Sequence, residues 1–117
     1  MDKNFKTTWE KYTTTWKITD KAERLAIFSE VLTDKAIYTD PIAQTKSWDE
    51  LISYMENFHQ QVPGGHFVTT YFLSHHQKSI AKWEMKNHAD ITIGNGISYG
   101  EYDEHGKLLS MNGFFES

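Results

Sequence analysis

Asp40 stands immediately before Pro41, and that pair is the clearest candidate for chemistry in the chain. An Asp-Pro pair makes a turn in which the carboxylate accepts nearby backbone N–H groups. At the edge of an apolar cavity the same carboxylate has a second use. It can move a proton between carbons, provided a donor stabilises the oxygen of the enolate. Both uses stay open at this level. Six histidines invite a metal site, but no His-x-His or HExxH spacing is present. His75 and His76 are adjacent, so on a strand they face opposite sides and cannot share an ion. One of the two is then a candidate to face inward as an acid, base or hydrogen-bond donor, the other reading being a packed or solvated residue. The absence of cysteine excludes thiolate metal sites and disulfides. The expectation is a protein without metal or cofactor.

Rings are the other resource. Seven Phe, six Tyr and four Trp make up 15% of the chain, and such side chains either fill a core or line a ligand pocket. A net charge of −4, with acids and lysines interspersed, argues against a nucleic-acid partner. No run of about eighteen apolar residues is present, so no membrane-spanning helix is expected. The opening MDKNFKTTWEKY lacks the apolar stretch of a signal peptide, and the expectation is a cytoplasmic protein. At 117 residues, positions 1–117 are expected to form one domain.

These residues need elements to hold them. Phe5, Trp9, Tyr12 and Trp16 are spaced by four, three and four, which predicts one aromatic stripe on a helix from about residue 4 to 19. Asp20 caps a second helix, with Glu23 completing a capping-box pair, and Leu25, Ile27, Phe28, Val31 and Leu32 form its apolar face. A short extended piece over 36–38 follows and ends at Asp40-Pro41. Ser47 caps a third helix over 48–61, closed by Pro63-Gly64-Gly65. From His66 the period becomes two. Ala81, Trp83 and Met85 share one face of a strand, with Lys82, Glu84 and Lys86 on the other; Met111, Gly113 and Phe115 share a face of the last. Helices followed by strands point to α+β, with three long antiparallel strands in a meander and the helices on their concave face.

The ordered series Tyr38-x-Asp40-Pro41, Leu51, Phe58, Pro63-Gly64, Phe67, His75, Ala81-x-Trp83, Gly94, Gly96, His105-Gly106-Lys107 and Gly113-Phe114-Phe115 covers the chain from about residue 9 to 115. It resembles the SnoaL-like branch of the NTF2-like (cystatin-cone) superfamily, which includes ketosteroid isomerases and polyketide cyclases. The resemblance implies a cone: N-terminal helices packed on the concave face of a strongly curved antiparallel sheet, open at one end to a ligand. It also implies a homodimer formed through the outer sheet face, where Lys82, Glu84, Lys86, His88, Tyr99 and Glu101 are expected.

In the isomerases an aspartate before a proline at this point is the general base, and EVLTDKAIYTDP resembles their segment. That implies Asp40 as acid or base. Their oxyanion donors are a tyrosine on the first helix and a protonated aspartate on a late strand; here Trp16 and Ser98 stand in those places. Tyr12, one turn before Trp16, and the hydroxyl of Ser98 are the substitutes. Trp16, Tyr38, Tyr54, Phe58, Trp83, Met85, Met111 and Phe115 match wall positions of the cavity. Epoxide hydrolysis on this scaffold uses an Asp-Arg-Asp set, whereas Arg24 is the single arginine. Two readings follow. The cone binds a small, largely apolar molecule and acts on it by proton transfer as an isomerase, cyclase or dehydratase, or it is a filled, non-catalytic carrier or dimerisation module.

Overall fold

The computed structural model describes residues 4–116. Helix α1 (Phe5–Thr14) is capped by Asn4, whose side chain accepts from Thr7 N–H. Helix α2 (Lys21–Val31) is capped by Asp20, which accepts from Glu23 N–H at 2.9 Å. Helix α3 (Trp48–Gln61) is capped by Ser47, which accepts from Glu50 N–H at 3.1 Å. The two latter caps are the ones the sequence predicts. The first helix is shorter than its aromatic stripe suggests. The hydroxyls of Thr13, Thr14 and Thr15 each donate to the carbonyl three residues back. The backbone from Thr15 to Lys17 follows with the same three-residue bonds, so the chain leaves the α-helical ladder and carries Trp16 on a tightened turn.

Six strands form one sheet: β1 (Leu32–Thr39), β2 (Gln44–Thr45), β3 (His66–His75), β4 (Lys78–Lys86), β5 (Thr92–Tyr102) and β6 (Leu108–Phe114), in the order β2-β1-β6-β5-β4-β3. The sheet is curved and unclosed, with the three helices packed on it. The meander runs through four strands rather than three. The short piece expected over 36–38 is an eight-residue strand, and it pairs with β6 in parallel. The antiparallel expectation fails at this one pair because α3, not a hairpin, joins β1 to the meander, so nothing forces the direction to reverse.

Register decides which side chains face inward. Ala81, Trp83 and Met85 lie opposite Ser98, Gly96 and Gly94, and Ser98 lies opposite Gly113. These positions share the face that buries Trp9, Tyr12, Phe28, Leu51, Ile52 and Met55 from the helices and Trp16 from the turn after α1. The convex face carries Lys82, Glu84, Tyr99 and Glu101 as expected, but also a row of aliphatic residues. Ile97 pairs with Phe114 and Leu73 with Ile80, all four exposed.

The β3–β4 hairpin corrects the histidine argument. His76 and Gln77 form its two-residue turn with φ of 46° and 61°, as type I′ hairpins require. His76 has therefore left the strand, and its Nδ1 lies 3.1 Å from that of His75 instead of on the opposite face. Both rings are exposed, so neither faces the cavity.

Candidate functional site

A cavity of about 360 Å³ opens at the wide end of the concave face. Its wall is built from Trp16 after α1, Tyr38 and Asp40 from β1, Tyr54 and Phe58 from α3, Phe67 from β3, Trp83 and Met85 from β4, and Phe115 after β6. The exposed residues Ile42, Asn57, Gln61, Ile93, Asn95 and Glu116 mark its mouth. Helical spacing aims Tyr54 and Phe58 from one face of α3, and alternation aims Trp83 and Met85 from one face of β4.

The rings hold one another in place. Trp16 sits 5.4 Å from Tyr38 and from Phe67, and 5.6 Å from Phe58. Trp83 packs edge-on to Phe67 at 5.0 Å and to Phe115 at 6.1 Å. Gly96 makes that placement of Trp83 feasible. A Cβ there would lie 2.4 Å from the Trp83 ring and 2.6 Å from the Phe114 carbonyl.

Asp40 lies at the polar end of this lining. Its Oδ1 accepts from the backbone N–H of Ile42 at 2.8 Å and of Ala43 at 2.9 Å. Its Oδ2 accepts from the hydroxyls of Tyr38 at 2.7 Å and Tyr54 at 2.8 Å. Tyr38 reaches it because residues two apart on a strand share a face; Tyr54 reaches it from the middle of α3. Burial, then the electrostatic influence of its tyrosine and carboxylate neighbours, pushes the Tyr38 hydroxyl far above the usual tyrosine range. Burial and the hydrogen bond to Asp40 push Tyr54 up as well. Both therefore act as neutral O–H donors near neutral pH.

The two oxyanion candidates differ in position. The Tyr12 hydroxyl accepts from Trp16 Nε1 at 3.0 Å, and its side chain is buried on the inner face of α1, outside the lining. Burial is also the main cause that pushes Tyr12 up. Ser98 accepts from Trp83 Nε1 at 2.9 Å and belongs to the Asp40 neighbourhood. A Cβ on Gly113 would sit 3.5 Å from Asp40 Cβ, 3.8 Å from Tyr38 Oη and 4.0 Å from Ser98 Oγ. Met111 does not line the cavity. It is 1% exposed and packs in the core, opposite Gly100, where Leu108, Ser79 and Trp9 close in from three elements and mark the narrow end.

One cluster escaped the reading of the sequence. Arg24 is fully buried, and its Nε donates to the Thr15 carbonyl at 3.0 Å. Its Nη2 lies 3.5 Å from His59 Nδ1, while His59 Nε2 bonds the carbonyls of Trp16 and Gly65. The pair thereby fixes the backbone that carries Trp16. The signal was present: Arg24, Phe28 and Val31 are spaced by four and three, on the buried face of α2. Among the described residues, no group of three or more His, Asp or Glu is arranged to hold a metal ion. Among the same residues, no helix is long and apolar enough to cross a membrane.

No family model matches the chain, and no curated protein matches it either. Solved structures do. A provisional isomerase of the SnoaL-like family from Agrobacterium tumefaciens superposes with a TM-score of 0.86 at 18% identity, covering 97% of each chain. A cystatin-like fold protein of unknown function from Methylobium petroleophilum gives 0.78 at 12% identity, over 97% of this chain and 76% of that one. A provisional SnoaL-like polyketide cyclase from Jannaschia gives 0.76 at 8% identity, over 99% and 91%. At these identities the likeness establishes the fold, which is the cystatin-like cone of SnoaL-like and NTF2-like structures.

Proposed function

We propose that this SnoaL-type cone binds a small, largely apolar molecule whose polar end meets Asp40, and that Asp40 transfers a proton on it. The observation that carries the reading is a carboxylate at the polar end of an aromatic cavity, its Oδ2 held by two hydroxyls of the lining. A proton arriving on Oδ2 displaces one tyrosine hydroxyl. The freed O–H can then turn to the ligand's oxygen, so acid and base come from the same cluster. The likeness to structures described as isomerases and cyclases supports this reading at the level of the fold. A non-catalytic carrier is the second reading. The four hydrogen bonds that already satisfy Asp40 favour it, because each must be disturbed before a proton can be taken.

The test separates the two. Occupancy of the cone is read from the emission of N-phenyl-1-naphthylamine, a neutral dye that brightens in apolar cavities. Proton transfer is read by NMR as deuterium uptake into a panel of small carbonyl compounds, amino ketones included, in D₂O. Uptake that disappears in Asp40→Asn while the dye still binds is the expected result. Dye binding without uptake leaves the carrier, and no dye binding removes the ligand site itself.

We propose also that the convex face pairs with a second copy of the chain. Ile97 and Phe114, with Leu73 and Ile80 on the neighbouring strands, give an exposed apolar row, and Lys82 and Glu84 beside them suit a twofold contact in which unlike charges meet. Light scattering should find a dimer that Phe114→Glu converts to a monomer. A wild-type monomer would overturn this.

A further inference from the structure

The charge around the cavity has one sign. Asp40 at its polar end and Glu116 at its mouth are the charged side chains of the lining, to which, among the described residues, no lysine, arginine or histidine contributes. Asp40 has no ion-pair partner among the described residues. Its four hydrogen bonds come from two backbone amides and two tyrosine hydroxyls, all neutral, so its charge is solvated but not cancelled. A carboxylate beside apolar walls without a counter-ion attracts a cation more strongly than it would in water. Aromatic rings add to that preference, because their faces carry the negative end of the ring quadrupole. Trp16, Tyr38, Tyr54 and Trp83 supply such rings on the same lining.

At the polar end the hydroxyl donors of the lining, Tyr38 and Tyr54, are both directed to Asp40, and the amides of Asn57, Gln61 and Asn95 lie at the mouth. An oxyanion developing on a ligand needs donors aimed at it. Tyr12 and Ser98, whose hydroxyls accept from the indoles of Trp16 and Trp83, do not belong to the lining. A ligand that brings its own positive charge needs neither.

We propose that the molecule bound here is a cation: an apolar or aromatic body bearing a protonated or quaternary amine, with the ammonium group at the Asp40 end. This rests on the reading of the cone as a ligand site and adds the sign of the ligand's charge. It is tested on the intact protein by competition against bound N-phenyl-1-naphthylamine. The competitors are matched sets of arylalkylamine, the alcohol of the same shape and the corresponding carboxylate. The amine should displace the dye at a concentration about tenfold below that of the alcohol, the worth of one desolvated ammonium contact, with the carboxylate weakest. Asp40→Asn should remove the amine's advantage while the dye remains bound. The wild-type ranking alone fixes the sign should that variant fail to fold. An alcohol that equals or beats its amine, or an advantage that survives Asp40→Asn, overturns the proposal and leaves the ligand site standing. A dye that never enters the cone overturns both.

Discussion

The two ends of the concave face are made from the same kinds of side chain, yet one is filled and the other is open. At the narrow end Trp9, Phe28, Leu32, Leu108 and Met111 are at most 2% exposed. Tyr102 packs on Phe5 with ring centroids 4.3 Å apart and shares a 2.8 Å hydrogen bond with Ser79. A Cβ on Gly100 would meet Leu108, Ser79 and Trp9 at 3.1–3.3 Å, so three elements converge on that point. At the wide end the corresponding spot is Gly113, where the nearest neighbours of a Cβ stand off at 3.5–4.0 Å. What differs is the covering. Helices α1 and α2 bring bulky residues down on the narrow end, whereas among the described residues before β1 Trp16 alone reaches the cavity wall. Aromatic content therefore does not distinguish a pocket from a core; the reach of the covering helices does.

The sharpest way to break this contrast is to truncate one residue at each end. Leu108 is 0% exposed, and Leu108→Ala should cost about 3 kcal/mol by leaving a cavity that its neighbours cannot close. Phe115→Ala, at a wall that already borders empty space, should cost about 1 kcal/mol or less and instead weaken dye binding. Urea denaturation of both variants measures the pair. Equal costs would mean that the wide end is as tightly packed as the narrow one.

Alkaline pH probes both ends at once. Burial pushes the Tyr102 hydroxyl up to about 12 at the narrow end, and pushes Tyr38 and Tyr54 up at the wide end. Each folded-state value lies above the unfolded one of about 10, so the unfolded chain loses these protons first. The stabilisation is complete below about pH 10 and is lost as pH rises toward the folded values. For Tyr102 alone the loss amounts to roughly 2–3 kcal/mol at full ionisation. Denaturation curves at about pH 8, 10 and 11 (roughly two units below, at and one unit above the unfolded value) should show flat stability first and a fall afterwards. A curve that stays flat to pH 11 would show that these hydroxyls are solvated rather than buried.

How far the sequence carries this description depends on the range of the interaction that decides each feature. The caps at Asp20 and Ser47 and the alternation through Trp83 and Met85 are set by neighbours in the chain, and they were legible there. The end of α1 was not, because a stripe of rings continues to Trp16 while three threonine hydroxyls divert the backbone before it. The parallel pairing of β1 with β6 was also hidden, since neither strand encodes the direction of its partner. Asp40 and the wall residues Tyr38, Tyr54, Phe58, Trp83 and Phe115 were singled out from the chain. That Tyr38 and Tyr54 converge on one oxygen of Asp40 was not. It depends on where α3 crosses β1, which is a tertiary fact. Met111 illustrates the same limit. Alternation placed it correctly on the inner face, but only the helices above it decided that it belongs to the core.

Ser98 lies between the two regimes and gives the smallest and most discriminating effect. Its Oγ accepts the Trp83 indole N–H at 2.9 Å, and Trp83 is 8% exposed, so Ser98→Ala leaves a nearly buried donor without an acceptor. The expected cost is about 1 kcal/mol, the ordinary consequence of one orphaned neutral donor. The Trp83 indole N–H should also shift in a two-dimensional NMR spectrum, since it loses its partner. If Ser98 serves only to orient Trp83, then deuterium uptake and amine binding should fall no further than a slightly displaced ring explains, and Ser98→Thr, which keeps the hydroxyl, should restore the indole signal. If Ser98 instead donates to the ligand, uptake should collapse in Ser98→Ala while stability barely changes. That second pattern would hand the site an oxygen-stabilising group and weaken the case for a cationic ligand. The two readings therefore diverge on a single hydroxyl, and the indole signal distinguishes them without knowledge of the natural ligand.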